Sequence, residues 1–139
     1  MSKKSGTIYE CVFKVEAMKH GNDVFPSEGD YSVVDMVVLN PAGRAFRVQI
    51  KGTALEGASD GASRPPMKNK FKICIDGERR NTILATEVDV LACYILPRDT
   101  WYLIPMVKAV GLKTLAFFLQ EDSESKWQPY RNNWDIFLQ

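Results

Sequence analysis

A single histidine, His20, and three cysteines, Cys11, Cys74 and Cys93, are all that 139 residues offer of the usual nucleophile and metal chemistry. One imidazole leaves any Ser/His/Asp or Cys/His machine resting on His20 alone. Its place just before Gly21 reads instead as a cation at a helix end. The cysteines are odd in number, widely separated and set among apolar neighbours, which excludes a disulfide framework and reads as reduced core residues. No Cys or His pair has zinc-ligand spacing, and no glycine loop of the Walker or dinucleotide type is present. Long hydrophobic runs are missing too: none nears the roughly 20 residues needed to span a bilayer. The opening MSKKSGTIYE lacks the apolar centre of a signal peptide, so the expectation is an intracellular, cytoplasmic protein. Charge of one sign is also lacking. A net charge of +1 excludes a nucleic-acid binder that works by bulk charge. Any chemistry must come from carboxylates, amides and lysines.

What is present reads as one domain over residues 1–139, long enough to bury a core unaided, with an aromatic tail at about 120–139. Residues 7–20, TIYECVFKVEAMKH, place Ile8, Cys11, Val12, Val15 and Met18 at helical spacing, and Gly21 stops the helix. This predicts an amphipathic helix buried along that stripe, with Glu10, Lys14 and Ala17 beside it. GNDVFPSEGDYS reads as turn chemistry, and VVDMVVL as a strand covered on both faces. NPAG at 40–43 turns the chain back into RAFRVQIKG, so the two strands form an antiparallel hairpin. FKICID, VDVLACYIL and WYLIPM read as further strands, and LKTLAFFLQ as a strand or a helix. WQPYRNNWDIFLQ is too aromatic to hang free and predicts a docked or interface-forming tail. Such elements make an α/β or α+β domain with a mixed sheet.

Two stretches carry chemistry. In RPPMKNKFK at 64–72, Arg64, Lys68, Lys70 and Lys72 stand without an acid, a segment suited to phosphates or to plain solvation. Asp35 is the second, a carboxylate in the middle of a β-branched run, which needs compensation because burying an unpaired charge is costly. If the turn sets Leu39 against Arg44 or Ala45, Asp35 falls opposite Val48 or Gln49. The second register gathers Asp35, Gln49 and Lys51 on one face. A hard cation such as Mg²⁺ takes oxygen ligands, which Asp35, the Gln49 side chain and the Ile50 carbonyl would supply. Lys51 would orient a water and stabilise charge on a phosphate, and Glu10 would add a carboxylate from the helix.

VVDMVV followed by QIK resembles the PD-(D/E)xK nuclease superfamily, whose signature is an acid on one strand and an acid, any residue and a lysine on the next. Val34 stands where that family has proline, and Gln49 where it has an acid. With the helix ending in KHG, FRVQIKG, and VDVLACYILPRDTWYLIPM, the pattern over residues 6–119 is similar to the branch containing group I intron homing endonucleases, with relatives among archaeal Holliday-junction resolvases. That resemblance implies an α/β, restriction-endonuclease-like core, a mixed sheet flanked by helices. It makes Asp35 and Gln49 metal ligands, Lys51 the catalytic lysine and Glu10 the helix acid. It further implies Mg²⁺-dependent hydrolysis of DNA, with Mn²⁺ able to substitute, by a homodimer or homotetramer that cuts both strands. Arg47, Arg64, Lys68, Lys70 and Lys72 are the candidate DNA contacts. A Holliday-junction resolvase, a silent DNA-binding module of the same fold, and a small-molecule-binding or structural subunit are the other readings the residues allow.

Overall fold

The first helix, α1 (Lys3–Lys19), carries apolar side chains on more than one side, and packing decides which of them goes inward. In the computed structural model, which describes residues 3–28, 33–57, 68–75, 85–120 and 125–139, that face is Tyr9, Phe13 and Ala17. The expected stripe is therefore corrected. Of its members only Val12 packs against the core, while Ile8, Cys11, Val15 and Met18 are exposed. Two aromatic rings one turn apart bury more surface than aliphatic side chains do, and Ala17 lets the helix lie close. The helix ends in a Schellman arrangement, Asn22 N–H donating to Ala17 O at 3.1 Å and Gly21 N–H to Met18 O at 2.9 Å, with Gly21 at φ 88°. His20, at that end, stacks on Trp134 with ring centroids 5.1 Å apart.

After it come β1 (Asp23–Pro26), β2 (Met36–Leu39), β3 (Ala45–Thr53), β4 (Lys70–Cys74), β5 (Val90–Ile95), β6 (Thr100–Pro105), a single helical turn α2 (Met106–Ala109) and β7 (Thr114–Phe118). β1 lies where turn chemistry was expected. DVFP has little burial of its own and owes its strand form to pairing with β2. LKTLAFFLQ resolves as the strand β7, and α2 was not foreseen. The main sheet runs β1-β2-β3-β5-β6, antiparallel except for the parallel pair β3 and β5. β4 and β7 form a separate antiparallel pair.

Every residue of β5 is buried, because the main sheet is covered on both faces. On one face Val90, Ala92 and Tyr94 join Val48, Ile50, Trp101, Leu103 and α1. On the other, Leu91, Cys93 and Ile95 join Tyr102, Ile104 and the inner side of β4 and β7. The tail aromatics serve these two cores: Trp134, Ile136 and Phe137 pack under α1, and Trp127 on the opposite side. Asn40 Nδ2 also donates to Phe137 O at 2.7 Å. The tail docks on its own chain. Of the cysteines, only Cys93 is buried; Cys11 and Cys74 are exposed thiols, against the expectation of three core residues. Among the described residues no helix is long and apolar enough to cross a membrane.

Gly52 explains how α1 comes so near the sheet. A Cβ built there would lie 2.4 Å from Tyr9 Cδ2, so the tyrosine ring rests on bare backbone. Tyr9 is only 3% exposed and has no room to retreat. Gly52→Ala is expected to cost about 1–3 kcal/mol or more through overpacking, read as a lower urea midpoint with an unchanged m-value.

Candidate active site

The NPAG turn sets the geometry. Asn40 N–H donates to Arg44 O, Arg44 N–H donates to Asn40 Oδ1, both at 2.9 Å, and Gly43 takes φ 88°. β2 and β3 then pair with Leu39 against Ala45 and Met36 against Val48. This is the register that brings Asp35 level with Gln49. The regular ladder stops at Met36, and Asp35 itself uses both backbone and side chain: its N–H donates to Val48 O at 2.9 Å, and its Oδ2 accepts from Ile50 N–H at 2.7 Å. The carboxylate stands in for a strand carbonyl.

Burial pushes the Asp35 carboxyl up to about 6. The Ile50 N–H pulls the other way, the negative Glu10 adds to the rise, and the positive Lys51 opposes it. Glu10 on α1 and Lys51 on β3 are therefore both within electrostatic reach of Asp35. Lys51 pairs with Cys93 across the parallel ladder, and its charge is felt by that thiol, which burial holds far above its usual range. Gln49 pairs with Leu91 and is 7% exposed, yet its Oε1 accepts no hydrogen bond among the described residues.

A buried amide oxygen without a donor is costly in a folded protein unless something else satisfies it. Beside a carboxylate that burial makes reluctant to ionise, it suits a hard cation, which would lower the Asp35 pKa and accept the Gln49 oxygen. Among the described residues no three His, Cys, Asp or Glu side chains cluster as metal ligands. An ion here would need the amide and a backbone carbonyl as well as the carboxylates.

A profile of the PD-(D/E)XK endonuclease family matches residues 1–137. The chain belongs to the PD-(D/E)XK endonuclease family. The match runs past residue 119, where the resemblance in sequence was expected to end, and takes in the docked tail. The structure of a bacterial homing endonuclease, I-Ssp6803I, is similar in fold, with a TM-score of 0.76 over 99% of this chain and 91% of that one at 19% identity. No curated protein matches the chain. The mixed sheet with flanking helices is thus a nuclease fold, and family membership implies a DNA substrate.

Within this PD-(D/E)XK chain the expected DNA contacts fare differently. Arg47 is already engaged: its Nε and one terminal nitrogen bind Asp89 at 3.0 and 2.9 Å, the other donates to Thr86 O at 2.5 Å, and its N–H donates to Asp89 Oδ2 at 2.8 Å. Those bonds, the Arg47 side chain first, lower the Asp89 carboxyl from its ordinary value. The guanidinium is a clamp between β3 and the entry to β5, with little left for a phosphate. Asp89 was not singled out from sequence, since the parallel pairing that brings it there leaves no local signal. Lys68 is exposed, Lys70 and Lys72 are half-buried on β4, and Arg64 lies outside the described residues. A cavity of about 280 Å³, lined by Glu16, His20, Asp99, Trp101, Asn132 and Trp134, includes none of the acid, amide or lysine just described.

Proposed function

We propose that this chain is a divalent-cation-dependent DNA endonuclease of the homing type, hydrolysing phosphodiester bonds with Mg²⁺, for which Mn²⁺ substitutes. The observation that carries the reading is the buried Oε1 of Gln49, without a donor among the described residues, beside the Asp35 carboxyl that burial makes reluctant to ionise, with Lys51 in electrostatic reach of Asp35. Asp35, Gln49 and the Ile50 carbonyl would hold the ion, and Glu10 would add its carboxylate to the ion or its waters. When bound, the ion polarises the scissile phosphate. Lys51 donates to the attacking water and steadies the charge that grows on the phosphate oxygens. The Ile50 N–H donates to one Asp35 oxygen and fixes the carboxylate, which would leave the second oxygen for the ion.

Purified protein is expected to nick or cut supercoiled plasmid with Mg²⁺ or Mn²⁺ and to stop when a chelator is added. A synthetic four-way junction run in parallel separates this reading from a resolvase, which would prefer the branched substrate. Folded protein that at low salt cuts neither substrate, nor a plasmid library carrying randomised inserts that supply a rare target site, would sink the proposal. Gln49→Glu should raise metal affinity or change metal preference, because a charged oxygen replaces a neutral one. Unchanged metal titration curves would remove Gln49 from the ion's ligands.

Cutting both strands calls for at least two copies. The apolar outer stripe of α1, with Ile8 38%, Val15 51% and Met18 55% exposed, supports assembly into a homodimer or homotetramer. Light scattering would report such a mass, and a monomer at high concentration would overturn it.

A further inference from the structure

The paired strands β4 and β7 alternate strictly. Phe71, Ile73, Leu115 and Phe117 point into the core, which leaves Lys70, Lys72, Cys74, Thr114, Ala116 and Phe118 on the outer side. The register sets Lys70 against Phe118, Lys72 against Ala116 and Cys74 against Thr114. Lys70 Nζ stands 5.9 Å from the Phe118 ring centroid, so it spreads its stem over an aromatic. Lys68 just before β4 and Lys113 just before β7 add two exposed charges. Residues 68–75 and 112–120 together hold Lys68, Lys70, Lys72 and Lys113 and no acid, in a chain whose net charge is +1. Four of the chain's 18 lysines and arginines thus stand on or beside this ribbon, with Glu56 close to Lys68 at its edge. It packs on the same face of the main sheet that carries Gln49 and Lys51, since their ladder partners Leu91 and Cys93 lie in the core beneath it.

We infer that the outer face of β4 and β7 lies in the major groove of duplex DNA and reads sequence there. The inference rests on the endonuclease reading above. A two-stranded ribbon fits a groove about 12 Å wide, where base pairs present distinct donors, acceptors and the thymine methyl group. The lysines on β4 and at the strand ends meet phosphates and position the duplex. The short side chains of β7 are the readers: the Thr114 hydroxyl reaches a base edge, and Ala116, with Phe118 beyond it, packs on thymine methyls.

Binding selection from a pool of randomised duplexes, with Mg²⁺ left out, tests this directly. Thr114→Val and Ala116→Ser, checked for folding by thermal denaturation, are expected to change base preference at one or two positions and to weaken binding to the wild-type site about tenfold. Lys70→Ala should weaken binding evenly across sequences and lower the salt slope by about one, with base preference kept. Replacing thymine by uracil, which removes the methyl group from the major groove, should weaken binding at the selected positions. Identical preferences for wild type and the β7 variants, absence of uracil interference, or no binding to duplex would each overturn the inference. If preference and interference are found but the selected duplex is not cut with Mg²⁺ or Mn²⁺, the endonuclease reading falls while the ribbon assignment stands.

Discussion

Lys51→Ala is expected to lower single-turnover cleavage of supercoiled DNA by at least about 10²- to 10³-fold, the usual cost of removing one donor that acts on transition-state charge. Binding to duplex, measured without Mg²⁺, should hold within a few-fold, because Lys51 stands half-buried on β3 and is not one of the lysines assigned to the phosphates. The fold should tolerate the change: Lys51 lies between the buried Ile50 and the close-packed Gly52, but its own side chain bridges no described residues by a hydrogen bond or ion pair. Cleavage at the wild-type rate would show that the lysine has no part in the chemistry. Arg47→Ala makes a useful contrast. It breaks the clamp on Asp89 and should cost stability, with the rate per folded molecule little altered.

Asp35→Asn is expected to act in opposite directions on stability and activity. In the fold Asp35 holds its proton up to about 6, against an ordinary value of 3.8, so the charged form is the disfavoured one. That penalty is fully present above pH 6 and absent below 3.8, and at neutral pH it is on the order of 2–3 kcal/mol. The chelated wild-type protein should therefore gain stability from this group as pH falls from 7 toward 4. Asparagine keeps an oxygen for the Ile50 N–H and carries no charge to desolvate. The variant should denature at higher urea than wild type at pH 7.5 in chelator, with the difference shrinking toward pH 4, and should not cleave DNA. Added Mg²⁺ should stabilise the wild type and leave the variant unmoved. A variant no more stable than wild type at pH 7.5 would show that Asp35 is not a strained carboxylate at all.

The parts of this molecule legible in its sequence are those set by local chemistry. Asn40 and Gly43 determine the turn, the turn determines the register, and the register places Asp35 beside Gln49 without any knowledge of the rest of the chain. Gly21 likewise ends α1 where it should. The buried face of α1 was not legible, because Ile8, Cys11, Val15 and Met18 offer a stripe as apolar as Tyr9, Phe13 and Ala17. Only the bare backbone of Gly52, met from the neighbouring sheet, selects between them. β1 was hidden for a related reason: a four-residue strand with exposed side chains exists through its partner and leaves little pattern of its own. Arg47 is a related case. Its charge is visible in sequence, whereas its commitment to Asp89 depends on a parallel pairing 42 residues away.

Phe13, without exposed surface, touches the rings of Trp101, Trp134 and Phe137, so an early helix and a late aromatic segment close over the same patch of sheet. Such a contact demands closure of nearly the whole chain before it rewards either partner, and the entropy of that closure must be met first. Folding should thus be slow and all-or-none on this side of the sheet, and truncation at residue 119 should yield an aggregating chain in place of a smaller nuclease. The same arrangement ties the two ends together like a clasp on a belt: a single backbone nick between them need not free either piece.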